Sequence, residues 1–116
     1  MSKSIKIAIP LAEGKLSMHF GHCETFALID ADTEAKKILG RKDLVPPPHE
    51  PGVIPKWLAE QGANVILAGG MGQRAQMIFE ENKIIVMVGM PAETPEALVA
   101  DYLAGTLKAG ENVCDH

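Results

Sequence analysis

The sequence predicts one α/β domain over residues 1–116, in which helices flank a five-stranded mixed sheet in three layers. Three observations predict this fold. The second half of the chain alternates short apolar runs with amphipathic segments, which is typical of parallel strands joined by helical crossovers. Two apolar runs near the amino terminus are separated by turn residues, which indicates an antiparallel hairpin at one sheet edge. The length of 116 residues suits one domain with its own hydrophobic core.

The first half of the chain supplies three predicted strands. Residues 4–9 alternate with β-branched side chains and predict a first strand that ends at Pro10. The stretch 11–24 contains two glycines and no helical periodicity, so we expect a loop there. Residues 25–29 and 37–45 predict the two strands of the hairpin.

Two features of the following chain break regular structure. Gly40 predicts a bulge in the second hairpin strand. Residues 46–52 contain four prolines and His49, and prolines continue neither a helix nor a central strand. We therefore expect an extended connector here, which would act as a lid.

The second half supplies two more strands and three helices. Residues 64–68 and 84–88 are continuous apolar runs, typical of buried parallel strands. Pro55 suits the first turn of the helix before them, and Thr94 with Pro95 predicts the start of the helix after them. The glycines predicted to end these helices are Gly62 and Gly105.

Composition excludes several classes of partner. The net charge is −4 and the basic residues are scattered, which argues against nucleic acid. No window approaches the roughly 18–20 apolar residues of a membrane span, and the first residues do not resemble a signal peptide, so we expect a cytoplasmic protein. In a reducing compartment Cys23 and Cys114 are expected as free thiols, ligands or redox groups, with a disulfide between them as the alternative.

Three loops should meet at one edge of the sheet. Residues 13–23, 69–72 and 89–94 each follow a predicted parallel strand. Ligands of open α/β sheets bind beyond the carboxyl ends of such strands. The candidate site is therefore expected where these loops converge.

The first of these loops concentrates metal-ligand side chains. His19, His22 and Cys23 lie within five positions, with Met18 as a weak thioether donor. Imidazole and thiolate suit iron, copper, zinc or a metal–sulfur cluster. Three ligands do not complete a usual four-ligand site. In the alternative interpretation, His19 caps the loop and Cys23 is a small core residue.

The second loop leads directly into a helix. Its exposed N–H groups and the positive end of the helix dipole predict an anion-binding concavity, and Arg74 would add charge. The loop matches neither the Walker nor the dinucleotide-binding glycine pattern, and a tight strand-to-helix turn is the alternative. Met71 and Met90 on adjacent loops would form a soft apolar wall around a sulfur-rich ligand. Alternatively they fill the core, and for each methionine considered by itself the core interpretation is favoured. The loop consists of Gly69, Gly70, Met71 and Gly72.

The tail holds a second pair of donors. Cys114 and His116 are two residues apart and would share one face if the chain were extended. The last predicted helix runs away from the ligand edge, so the tail starts at the opposite edge. A disordered tail over 107–116 is the favoured alternative.

The chain also resembles a known family. Residues 7–10, the Met18-His19-Phe20-Gly21 region and the 69–72 loop are similar to the dinitrogenase iron–molybdenum cofactor biosynthesis family, of the nitrogenase accessory factor type. The resemblance covers nearly the whole chain. It implies a ribonuclease H-like fold without nuclease activity. It also implies a protein that binds, carries or inserts metal–sulfur clusters. His19 and the glycines match the family pattern, whereas the position of Cys23 often holds a small residue.

Together these observations predict a non-enzymatic carrier of a metal–sulfur cluster. The resemblance implies iron, molybdenum or both, with copper as a further possibility, and a donor or acceptor protein as partner. We expect a monomer or weak homodimer. Two alternatives stay open: a regulatory docking module without a cofactor, and an enzyme on a small anionic substrate with His19 or His22 as general base.

Overall fold

A computed structural model describes residues 4–17, 24–47 and 52–106. These residues form six strands and three helices. In chain order the elements are β1 (Ser4–Ala12), β2 (Lys15–Leu16), β3 (Thr25–Asp32), β4 (Lys37–Leu44), α1 (Val53–Glu60), β5 (Val65–Leu67), α2 (Gln73–Glu81), β6 (Ile85–Met87) and α3 (Pro95–Ala104).

The strands form one mixed sheet in the order β4-β3-β1-β5-β6, with β2 paired to β1. The strand β1 is central, antiparallel to β3 and parallel to β5. The strands β5 and β6 are parallel, and β3 and β4 form an antiparallel hairpin. The predicted mixed sheet with a hairpin at one edge is confirmed, and β2 is an additional strand.

The prediction that the first strand ends at Pro10 is wrong, because β1 continues to Ala12. The Pro10 carbonyl accepts a hydrogen bond from the Ser17 N–H at 2.8 Å, on the edge of β1 that faces away from β3. The N and O atoms of one residue in a strand point to the same side, so proline removes no bond to β3. On the other side, the pairing of β1 with β5 reaches only Ala8. A proline therefore fits here without loss of a ladder hydrogen bond.

The loop predicted over 11–24 contains a short hairpin. Ala12 pairs with Lys15, and the two residues between them, Glu13 and Gly14, have φ of 55° and 82°. Positive φ at both central positions is the backbone of a type I′ turn, whose twist matches that of paired strands. Asn-Gly or Asp-Gly is the usual signal for this turn, and two residues of β2 are too few to show alternation.

The predicted bulge and helix ends are confirmed. Asp30 pairs with Gly40 and Ala31 with Ile38, which leaves one extra residue in β4. The Thr94 hydroxyl accepts from the Ala97 N–H at 3.4 Å and caps α3, whose last turn ends at Gly105 in the left-handed region. Gly62, at φ 88°, follows α1.

The sheet separates two hydrophobic cores and confirms the three layers. Ile7 and Ile9 of β1 belong to the core that contains Leu98 and Val99 of α3. Ala8, which points to the other face, belongs to the core beneath α1 and α2. Within the described residues, no helix has the length and apolar character needed to cross a bilayer.

Candidate functional site

Backbone hydrogen bonds join the three loops at the carboxyl ends of β1, β5 and β6. The Leu16 N–H donates to the Glu93 carbonyl at 3.0 Å, which links the first loop to the third. The Gly89 N–H donates to the Gly69 carbonyl at 2.9 Å, and the Met90 N–H donates to the Ala68 carbonyl at 3.1 Å. The predicted convergence is confirmed for the described part of these loops.

Both ends of segment 18–23 are attached to β1. The Ser17 N–H donates to the Pro10 carbonyl at 2.8 Å, and the Glu24 N–H donates to the Leu11 carbonyl at 2.7 Å. The Glu24 carboxylate also accepts from the Glu13 N–H at 3.0 Å. Ser17 and Glu24, the described residues on either side, therefore both lie at the carboxyl end of the central strand. The predicted donors Met18, His19, His22, Cys23, Cys114 and His116 lie outside the described residues, as does His49 of the predicted connector.

Carbonyl groups of the glycine loop 69–72 are engaged by the protein. Gly69 accepts from Gly89, as described above. The Met71 carbonyl accepts from Nε2 of Gln76 at 2.9 Å, and the Gly72 carbonyl accepts from the backbone N–H of Gln76 at 3.1 Å. Three of the four carbonyls in this loop are thus turned towards neighbouring elements. Gly69 and Gly70 are buried, and Gly72 is the N-cap residue of α2.

The N–H groups of the same loop differ from its carbonyls in their hydrogen bonding. Among the described residues, none accepts a hydrogen bond from the N–H of Gly70 or Gly72. The same holds for the first three N–H groups of α2, which have no carbonyl one turn earlier in the helix. Gly72 provides no capping side chain, whereas Thr94 caps α3. With the helix dipole, this arrangement favours an anion. Arg74 in the first turn is exposed and adds positive charge.

The two loop methionines lie in the core. Met71 and Met90 are each 1% exposed. Met71 packs in the core beneath α1 and α2, and Met90 packs in the core beneath α3, on the opposite face of the sheet. Their sulfur atoms therefore do not lie on a common surface, which agrees with the core alternative. Ligand binding by either residue stays a prediction.

No group of three or more His, Cys, Asp or Glu side chains within 4–17, 24–47 and 52–106 is placed to hold a metal ion. The acidic residues of this region serve other purposes. Asp43 and Glu96 bind Arg41 at 2.7 Å and 2.5 Å. The hydrogen bonds that Arg41 donates, first to Asp43 and then to Glu96, raise the pKa of Arg41, and the bond that Glu96 accepts lowers the pKa of Glu96. This cluster ties the first turn of α3 to β4.

Sequence reasoning missed Gln76. Its side chain reaches back five residues to a loop carbonyl. Nothing in the sequence separates it from Gln73 three residues earlier, because only the fold of the glycine loop brings the Met71 carbonyl within reach.

Comparison with known proteins places this architecture in a family. The model of the dinitrogenase iron-molybdenum cofactor family matches residues 3–105. The chain belongs to the dinitrogenase iron-molybdenum cofactor family. The predicted resemblance is therefore confirmed.

Three known proteins are similar to this chain, one in sequence and two in fold. The uncharacterized protein MJ0580 of Methanocaldococcus jannaschii is 26% identical over 115 residues, which cover 94% of each chain. The crystal structure of PH0822 superposes with a TM-score of 0.82 at 25% identity, covering 90% of this chain and 94% of that one. The apo form of the orange protein from Desulfovibrio gigas superposes with a TM-score of 0.71 at 21% identity, covering 97% and 98%.

Proposed function

We propose that this protein binds an anionic metal–sulfur cluster as cargo and passes it to an acceptor protein during iron–molybdenum cofactor assembly. The observation that carries the proposal is the glycine loop 69–72. Three of its four carbonyls face the protein, and its N–H groups adjoin the uncapped amino terminus of α2. Membership of the iron-molybdenum cofactor family supports iron and molybdenum as the metals, with copper as the alternative.

The proposed site divides the binding between charge and ligation. The N–H groups of Gly70 and Gly72 and the first turn of α2 would donate to the sulfides of the cluster, whose negative charge the helix dipole stabilises. His19, His22 and Cys23 would ligate the metal, since imidazole and thiolate suit these metals. The described ends of their segment lie at the carboxyl end of β1, beside the strand that leads into the glycine loop.

The protein is proposed as a carrier rather than an enzyme. With β2 set aside, the strand order is that of a ribonuclease H-like motif, to which we assign the fold. Nucleases of this kind hold two metals through carboxylates on their central strands. The strands β1 and β5 carry no carboxylate, which supports binding without hydrolysis. We propose a cytoplasmic monomer or weak homodimer that meets a cluster donor or acceptor protein.

Anaerobic reconstitution tests the proposal. Wild-type protein incubated with iron, sulfide and molybdate, with a separate copper arm, should retain metal after desalting and show a visible spectrum. The double variant His19→Ala/Cys23→Ser should retain less than about one tenth of the wild-type metal, because each lost ligand bond weakens a site tenfold or more. The variant Cys114→Ser/His116→Ala removes the same side-chain types from the tail and serves as the matched control. A wild-type protein that retains no metal, or a His19/Cys23 variant that equals wild type, would refute the proposal.

A further inference from the structure

Among the hydrogen bonds that carbonyls of residues 68–72 accept from described residues, three come from backbone N–H groups and one comes from a side chain. The Gly89 N–H and the Met90 N–H hold the carbonyls of Gly69 and Ala68, and the Gln76 N–H holds that of Gly72. These three donors are backbone groups, so side-chain substitution does not remove them. The fourth is Nε2 of Gln76, which donates to the Met71 carbonyl at 2.9 Å in a half-buried position.

This bond fixes the peptide between Met71 and Gly72. The carbonyl of Met71 and the N–H of Gly72 belong to one planar peptide unit and point in opposite directions. When Gln76 holds the carbonyl towards α2, the Gly72 N–H is directed away from the Gln76 amide. Without Nε2, the peptide loses this restraint, and glycine at position 72 tolerates the backbone angles that a rotated peptide would need. A rotated peptide would present the carbonyl oxygen, which repels an anion, in place of the N–H.

We infer that Gln76 is the positioning residue of the anion seat: its amide locks the Met71–Gly72 peptide so that the Gly72 N–H faces an anionic metal–sulfur ligand. This inference rests on the proposed function, because it concerns the same site. It assigns Gln76 no direct contact with the ligand. Its role is to orient the Gly72 N–H towards the binding position before the anion binds. This preorganisation lowers the free energy that reorganising the loop would cost on binding.

The test compares the same substitution at two positions of α2. Gln76→Met keeps side-chain length and helix propensity but removes the donor. Gln73→Met makes the same change at an exposed side chain and keeps the backbone N–H, which is the only part of Gln73 that the proposed seat uses. Tetrathiomolybdate serves as an anionic molybdenum–sulfur probe, titrated anaerobically and followed by the fluorescence of Trp57. Loss of one neutral hydrogen bond predicts binding about five- to tenfold weaker for Gln76→Met, and a change below about twofold for Gln73→Met.

Two further measurements separate positioning from general destabilisation. The amide ¹H–¹⁵N resonance of Gly72 in the ligand-free protein should shift further in Gln76→Met, which removes the hydrogen bond to its peptide, than in Gln73→Met, which changes only the adjacent side chain. Gln76→Lys replaces the amide with another N–H donor of sufficient length. In high salt, where its added charge is screened, it should restore the Gly72 resonance towards its wild-type position.

The outcomes distinguish the two proposals. If wild type binds the probe and Gln76→Met binds within twofold of Gln73→Met, the inference is overturned while the proposed function stands. If wild type does not bind the probe, the anion seat itself is refuted, and the role of Gln76 with it. An unmoved Gly72 resonance in Gln76→Met also overturns the inference.

Discussion

Gly14 shows how a single residue shapes the ligand edge. It occupies the second central position of the β1–β2 turn at φ 82°, beside Glu13 at φ 55°. This turn places Leu16 where its N–H reaches the Glu93 carbonyl, so the turn connects the first loop to the third. The left-handed backbone at Gly14 costs little without a Cβ atom and more with one.

Gly14→Ala should therefore destabilise the protein by about 1 kcal/mol. Gly40 provides the matched control, since a Cβ atom at either position meets no other atom within 4 Å, and only Gly14 has a left-handed φ. Gly40→Ala should be neutral within about 0.5 kcal/mol. Urea unfolding of the three proteins measures both free energies. If the two substitutions lowered the free energy of unfolding equally, the left-handed φ of Gly14 would not be the cause of the destabilisation.

At the scale of elements, the position of α3 depends on both apolar and charged contacts. Leu98, Val99 and Leu103 bury its inner side against the sheet. At its first turn, Glu96 binds Arg41 of β4, which also binds Asp43. The pairing crosses from the helix to the edge strand, on the face of the sheet that α3 covers. It orients the amino-terminal end of α3, which follows the third loop of the site.

The Arg41–Glu96 pair predicts a pH-dependent contribution to stability. The hydrogen bond from Arg41 lowers the pKa of Glu96 in the folded state below its unfolded value of 4.5. The contribution is therefore fully present above that value and is lost as the pH falls through the lower, folded pKa. Because both side chains are partly exposed, Glu96→Gln should cost only about 0.5 kcal/mol at neutral pH.

Thermal or urea unfolding across pH 2.5–7 (about the range in which carboxylates titrate) measures the difference in the free energy of unfolding between wild type and Glu96→Gln. The difference should shrink towards zero at the acid end and in high salt, which screens exposed pairs. Glu93→Gln is the control on the neighbouring loop. A difference that stayed constant with pH would show that the ion pair is not its source.

At the scale of the whole molecule, two hydrophobic cores pack the helices against the two faces of the sheet. The packing of these cores fixes the positions of the three site loops. Phe79 of α2 is fully buried in the core shared with α1. Phe26 of β3 is in the same core. Its ring packs edge-on against the Trp57 ring, with the two ring centroids 5.8 Å apart. Packing of α2 therefore determines where its amino terminus, and so the proposed anion seat, lies.

Phe79→Ala should cost about 3–5 kcal/mol, a large fraction of the stability of a small domain. Met77 on the same helix is 57% exposed, so Met77→Ala should cost less than about 0.5 kcal/mol. Trp57, the only tryptophan in the sequence, reports unfolding of this core in urea. A small effect of Phe79→Ala would mean that α2 contributes little to the core.

The sequence by itself determined the α/β class, the hairpin edge, the helix caps and the convergence of the three loops. Each of these follows from local chemistry: Thr94 and Pro95 favour the start of a helix, and Gly105 favours its end. The family was also readable, because its motifs are contiguous in the chain.

Only the tertiary structure decided which atoms face the ligand edge. Pro10 remains in its strand because its nitrogen faces away from β3 and lies beyond Ala8, where the pairing of β1 with β5 ends, so no hydrogen bond to β3 or β5 is lost. Met71 and Met90, on adjacent loops by sequence, separate to opposite cores, because Met71 precedes α2 on one face of the sheet and Met90 lies on the loop that leads to α3 on the other. Gln76 gains its role from a carbonyl that is near it only in the folded chain. Contacts between residues on different elements depend on the relative placement of those elements, which local sequence patterns do not encode.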